Sequence, residues 1–402
     1  MHRLERGRHV SAEVLRFELS EYQQRLAKAR QAMENIGADI LIATNPSNMA
    51  WLTGYDGWSF YVHQCVVVFK DRDPLWFGRQ MDANGCRRTA YLDDSRIFSY
   101  EDHYVQSDTL HPMTVLADIL TKEGAAGSRI GVEMDNYFFT AAAYETLKSA
   151  LPNAKFVNAN RVINRQRIVK SQRELEYMRG AGKVVEGMYA RLSDVLRPGV
   201  TQSDVVAEIY FAATKGAGGF WGDYPAAVPM IGAGADASAP HLTWSDKPVR
   251  ANESIFFELA GVHKRYHCPL SRTYYLGKPT DKVRDAEKAV LEGVEAGLEK
   301  AVSGNTCEDI AVAYSGALAK YGLKKESRAG YSIGMAYPPD WGEHSASLRS
   351  GDQTALVPGM TFHFMSGLWY GDWGIEITES IVIQNGQVEC LSSVPRKLLV
   401  IE

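Results

Sequence analysis

A change of period near residue 160 constrains this chain more than any other feature. Before it, short apolar runs alternate with helical stretches. Residues 19–36 place Tyr22, Leu26, Ala29, Met33 and Ile36 at helical spacing. Residues 38–43, 66–69, 75–77 and 130–133 read as strands, with an Asp71-Arg72-Asp73-Pro74 turn between the second and third. That alternation predicts a small α/β domain with a layered sheet. Beyond residue 160 a long helix is expected, with Leu175, Met178, Val184, Val185, Met188, Leu192 and Leu196 at its apolar positions. Arg197-Pro198-Gly199 closes it, and the run from Thr201 to Asp204 caps the next. A helix pair at 285–302 and 307–321 follows, among strand-like stretches at 254–259, 271–276, 361–364 and 375–383. The second pattern is α+β, helices on an antiparallel sheet. The reading is therefore two domains, 1–165 and 166–402.

Composition narrows the partners. A 45% hydrophobic share in 402 residues supplies two cores, and the net charge of −4 gives no gross reason to bind nucleic acid or an anionic membrane. Residues 1–6 are polar, and no apolar run reaches the length of a membrane span. Five scattered cysteines without a CxxC pair argue against a disulfide framework and a zinc site. The expectation is a reduced, cytoplasmic protein.

Three segments concentrate large aromatics: 58–64, 218–225 and 367–374. Either they pack an interface or core, or they wall a flat cationic or zwitterionic small molecule. His241 sits in the loop Ala239-Pro240-His241-Leu242. Glu258 follows the apolar run Ile255-Phe256-Phe257, so a buried carboxylate is expected, either ion-paired or functional. Cys268 beside His267 suggests a thiol nucleophile, but neighbours on a strand point to opposite faces, which argues against the dyad.

Lys170-Ser171 before Glu174, Pro240-His241, Ser271-Arg272-Thr273, Gly330-Tyr331-Ser332-Ile333-Gly334, Pro358-Gly359-Met360 and Gly374-Ile375-Glu376-Ile377 occur in one order. In that order the second half resembles the pita-bread fold of creatinase, aminopeptidase P and prolidase, and the first half resembles the creatinase N-terminal domain. The implied fold class is an α/β N-terminal domain plus an α+β pita-bread C-terminal domain. The departures are informative. Metallopeptidases of this superfamily hold two metal ions with two Asp, one His and two Glu. Those positions fall here on Glu258, Pro269, Tyr331, Met365 and Thr378. Proline and methionine supply no hard oxygen ligand, so the resemblance implies no metal and no cofactor.

Residues 47–58, 264–273 and 338–343 resemble the ectoine hydrolases, a metal-independent branch of the superfamily. That resemblance implies hydrolysis of a cyclic amidine bearing a carboxylate, ectoine, to N-acetyl-2,4-diaminobutyrate. Glu258 is then nucleophile or general base, with His241 as general acid and base. The implied substrate wall is Trp58, Phe60, Trp369 and Trp373, with Glu343, Glu376 and Asp223 as charge partners and Tyr331 hydrogen-bonding the reacting nitrogens. In creatinase a loop of one subunit reaches the other's site. The equivalent here, 58–64, would bring His63 or Gln64 and implies a homodimer. A downstream deacetylase is the implied functional partner. The alternatives are a creatinase-like amidinohydrolase on another small guanidino or amidino acid, a dimethylsulfoniopropionate lyase, whose relatives keep metal positions this chain lacks, or a non-catalytic binding scaffold.

Overall fold

The computed structural model describes residues 15–402, so the polar run 1–6 lies outside the described residues. The chain divides into two compact units between Arg167 and Ile168. Among the described residues of the first, six strands form a mixed sheet. Its order is Ile97–Tyr100, Leu75–Arg79, Cys65–Phe69, Ile40–Ala43, Arg129–Val132, Lys155–Asn158. Ile40–Ala43 runs antiparallel to Cys65–Phe69 and parallel to Arg129–Val132. One face of the sheet, through Ile40, Ile42, Val67, Ile130 and Val132, packs on Leu116, Leu120 and Leu147. Those leucines belong to the helices Pro112–Lys122 and Ala141–Ala150. The first helix, Leu19–Asn35, buries Tyr22, Leu26, Ala29 and Met33, as their spacing requires, and ends at Ile36.

The second unit opens with the helix Gln172–Val195. Ser171 accepts the Glu174 N–H while the Glu174 carboxylate accepts the Ser171 N–H, which closes both ends of a capping box. Among the described residues, a nine-stranded sheet runs Glu389–Cys390, Glu379–Val382, Thr361–Phe364, Gly330–Tyr337, Tyr266–Leu276, Ser254–His263, Met230–Ala233. Asp340–Leu348 pairs with Gly330–Tyr337, and Leu399–Ile401 with Tyr266–Leu276. The helices Asp281–Lys300 and Cys307–Ala319 supply Val290, Val294, Ile310 and Tyr314 to a core shared with Phe362, Phe364 and Ile381.

The long hairpin Ser254–His263/Tyr266–Leu276 positions the chemistry. It turns on Lys264 and Arg265, both left-handed at φ 53° and 69°, a two-residue turn flanked by the His263–Tyr266 pair. Hydrogen-bonded and non-hydrogen-bonded pairs alternate from such a turn. Ala260–Pro269 and Glu258–Ser271 therefore both fall at non-hydrogen-bonded pairs. Pro269 thus interrupts no bond to its neighbour, which is why a strand accepts proline here. The Ser271 N–H likewise points away and donates to Thr378 Oγ1 at 2.7 Å.

One sequence expectation changes, and one strand had gone unread. The stretch 375–383 is not one strand: Trp373–Ile375 and Glu379–Val382 are separate. Between them the chain is drawn to the hairpin by the Thr378 N–H, which donates to the Ser271 carbonyl at 3.1 Å. The strand Asp340–Leu348 had no periodic signal and appears only as the partner of Gly330–Tyr337. All five cysteines are free thiols, four of them buried, with Cys390 half-buried. Among the described residues no helix is long and apolar enough to cross a membrane.

Candidate active site

A cavity of about 630 Å³ opens beside the middle of the hairpin. Glu258 lines it together with His241, Tyr331, Met365 and Trp369, and the charged segment 324–328 forms another wall. Glu258 is only 3% exposed. Burial holds its carboxyl well above the usual range, the nearby Glu376 charge raises it further, and Lys325 opposes both. Glu376 is fully buried. Burial raises it to about 7, against the hydrogen bond from Trp369, the nearby Ser271 hydroxyl and the charge of Lys325. Burial pulls the Lys325 ammonium down to about 8, against the pull of Glu376 and Glu258. The three groups titrate as a set. Burial biases the carboxyls towards neutral, and a cation beside them favours their ionised forms.

Trp369 links the set to the wall. Its Nε1 donates to Glu376 Oε1 at 2.9 Å, and the Lys325 ammonium sits 4.1 Å from its ring centre. Lys325 Nζ also donates to the Gly367 carbonyl at 2.7 Å. Gly367 has to be glycine for this arrangement: a Cβ there would lie 2.7 Å from the Trp369 ring and 3.1 Å from Glu376 Cγ.

On the other side of Glu258, His363 is fully buried and joins Tyr331 to Thr378. Its Nδ1 is 3.0 Å from Tyr331 Oη and its Nε2 2.8 Å from Thr378 Oγ1. Burial lowers its pKa to about 3, so the ring is neutral. Thr378 Oγ1 already accepts the Ser271 N–H. In the tautomer with hydrogen on Nδ1, Thr378 donates to Nε2 and Nδ1–H donates to Tyr331. Trp341 Nε1 donates to the same Tyr331 oxygen at 2.8 Å. In that tautomer two donors reach the Tyr331 oxygen, and its own hydroxyl proton is available to a group in the cavity. His363 Nδ1 lies 4.0 Å from Glu258 Oε1, so this relay sits beside the reacting carboxyl.

The structure therefore brings Glu258, His241, Tyr331 and Trp369 to one cavity with Glu376 behind it. His241 is exposed in the loop after the turn Gly234–Ser238. Other expectations are corrected. Glu343 is not a substrate partner: it is buried against Lys170, with Nζ 2.6 Å from Oε2. Gly334 admits that pair, since a Cβ would come within 2.3 Å of Glu343 Oε1. Asp223 pairs with Arg265 at 3.2 Å. Trp373 lies off the cavity, stacked on Tyr370 with ring centres 5.3 Å apart and lining a separate small recess. Trp58, Phe60 and His63 belong to the first unit and are not among the lining residues. Trp58 and Phe60 pack on each other at 4.7 Å, and His63 on His111 at 4.6 Å. The thiol dyad is excluded. His267 Nε2 accepts the Ala226 N–H and its Nδ1 faces the Arg265 carbonyl, while burial pushes Cys268 up to about 12.

Lys325, Arg328 and His363 were not singled out from sequence. The run Lys324-Lys325-Glu326-Ser327-Arg328 reads as a solvated charge cluster, and only the fold reveals that part of it is buried.

Comparisons with known proteins agree with this architecture. Residues 176–385 match the description metallopeptidase family M24, and residues 25–169 the creatinase/prolidase N-terminal domain. The chain is 53% identical over 393 residues to a protein of Halomonas elongata named ectoine hydrolase, covering 96% of this chain and 98% of that one. It is 42% identical to an uncharacterized hydrolase/peptidase of Sinorhizobium fredii, over 96% and 99% of the two chains. The fold matches a prolidase from Thermococcus sibiricus with a TM-score of 0.82 at 17% identity, over 94% and 99% of the chains. The family name implies a metal, and the residues do not fit one. Around Glu258 stand a phenol, a thioether and a hydroxyl where ligands would be needed. Among the described residues no group of three His, Cys, Asp or Glu is placed to hold an ion. With both domain matches and the shared architecture, the chain belongs to the metallopeptidase family M24, in its creatinase-like, pita-bread form.

Proposed function

We propose that the chain is a metal-independent hydrolase that opens the cyclic amidine of ectoine to N-acetyl-2,4-diaminobutyrate. The observation that carries this reading is the buried carboxyl pair of Glu258, on the cavity wall, and Glu376, behind it, with Lys325 beside both, in a chain 53% identical to a protein named ectoine hydrolase. An amidinium is flat, cationic and resonance-stabilised, so unassisted water attacks it poorly. Its charge favours ionisation of the carboxyls that burial biases towards their neutral forms. Glu258 then attacks the amidine carbon, and water resolves the adduct. In the variant mechanism it acts as the base that activates that water. Trp369 walls the amidinium and Glu376 balances its charge. Tyr331 donates to a ring nitrogen, and His241, at the exposed edge of the cavity, carries the proton to the leaving nitrogen. Trp58, Phe60 and His63 would complete the site from the partner copy of a homodimer.

The test is turnover of ectoine, creatine and an X-Pro dipeptide, with and without EDTA. Ectoine turnover alone, unaffected by chelation, is expected. Creatine turnover would favour the amidinohydrolase reading, and turnover of none the scaffold. Glu258→Gln is expected to lose at least about 10³-fold in kcat. Retention of most activity by a folded variant removes Glu258 from the chemistry. Mass spectrometry of quenched enzyme separates adduct from base.

A further inference from the structure

Arg328 stands two residues before the strand Gly330–Tyr337 and lines the same cavity as Glu258. Its guanidinium carbon lies 4.4 Å from the centre of the Tyr331 ring, and Nη1 donates to Ser347 Oγ at 3.1 Å. Among the described residues it has no carboxylate at ion-pair distance. Asp340 acts on it only through space, being engaged at 2.5 Å by His344. Burial disfavours its charged form, and Arg349 adds like-charge repulsion. A half-buried guanidinium has five donors in a fixed fork, and leaving it without an anion is costly.

The other cations of this wall are engaged. Lys325 is held by the Gly367 carbonyl, the Trp369 ring and the two carboxyls. Lys324 lies 3.7 Å from Glu326 at an exposed position. Tyr331 separates the remaining cation from the reacting acid. Its hydroxyl end meets His363, itself 4.0 Å from Glu258, while its ring carries Arg328. The cavity therefore has an acidic end and a guanidinium end.

We infer that Arg328 is the anchor for the substrate carboxylate and sets the preference for a zwitterion over a plain cation. This rests on the ectoine reading. A forked guanidinium grips a carboxylate by two parallel hydrogen bonds, which fixes the ring so that the amidine carbon faces Glu258.

The test compares ectoine with the same cyclic amidine lacking its carboxylate, in wild type, Arg328→Gln and Arg328→Lys. Wild type is expected to prefer ectoine by about 10–100-fold in kcat/KM. Arg328→Gln should erase that preference by raising KM for ectoine, leaving the decarboxylated amidine unchanged, and Arg328→Lys should restore part of it. Equal loss on both compounds, or no loss on either, overturns the anchor while leaving ectoine turnover intact. Should wild type turn over neither compound, the ectoine reading fails. Calorimetric binding of the same pair then decides the anchor: a preference for the carboxylate form that Arg328→Gln abolishes supports it, and equal binding overturns it.

Discussion

Burial holds Glu258 well above its ordinary range, so between the unfolded carboxylate value and the raised folded one the native state keeps a proton that the unfolded chain has released. Stability contributed by this site is therefore greatest below the unfolded carboxylate value and falls as pH rises towards the folded one. Glu258→Gln removes that penalty. Its melting temperature relative to wild type should rise between pH 5 and pH 8, by about 2–4 °C for each kcal/mol relieved. A constant gap in thermal melts at the two pH values would contradict the assignment. Lys325 holds both carboxyls down, so Lys325→Met should move the acid limb of kcat/KM to higher pH. Each pH unit of movement costs about tenfold at a fixed pH below that limb, and an unmoved limb would remove Lys325 from the set. Glu258 and Tyr331 were legible because each occupies a position that related metallopeptidases fill with a ligand. Glu343 was misjudged, since a carboxylate near Trp341 reads the same whether its partner is substrate or Lys170, 173 residues away. Arg328 had no signal at all, because its partial burial comes from the strands around it.

The hairpin Ser254–His263/Tyr266–Leu276 fixes the height of Glu258 above the cavity floor through its turn. Lys264 and Arg265 both hold left-handed backbone, where Asn or Gly fits with less strain. Arg265 recovers the difference: it pairs with Asp223 and lies 3.6 Å from the Tyr224 ring centre. Lys264→Asn should hold or raise stability. Arg265→Gly relieves about 1–2 kcal/mol of backbone strain but breaks a largely buried pair worth about 3–5, for a net loss of roughly 2 kcal/mol. Urea denaturation checks the order, and a stabilised Arg265→Gly would contradict it. Sequence periodicity caught the long helices and the apolar strand ends. It missed the strand through Pro269, because proline argues against a strand until the register shows which pair it occupies. It also missed the break at 376–378, because Ile377 within it is buried like Ile375, Ile381 and Ile383 on either side.

Each of the two units carries its own core, and the aromatic loop 58–64 sits on one while the acids sit on the other. If two copies share each site as proposed, Trp58→Ala and Glu258→Gln should each be inactive alone yet regain about a quarter of wild-type activity when mixed and allowed to exchange subunits, because only half the dimers are mixed and each has one intact site. No recovery from exchanged, folded dimers would place the loop outside the chemistry. The division of the chain was legible in the change of period, whereas the cavity was not, since its walls come from segments spread over 130 residues. The thiols add a practical advantage. Four are buried and the fifth, Cys390, is pushed up to about 11 by burial, so the native chain presents almost no thiolate at neutral pH. A single cysteine introduced on the 58–64 loop would be the fast-reacting one, and a fluorophore or cross-linker attached there could follow subunit exchange without first stripping the protein of its own sulfur.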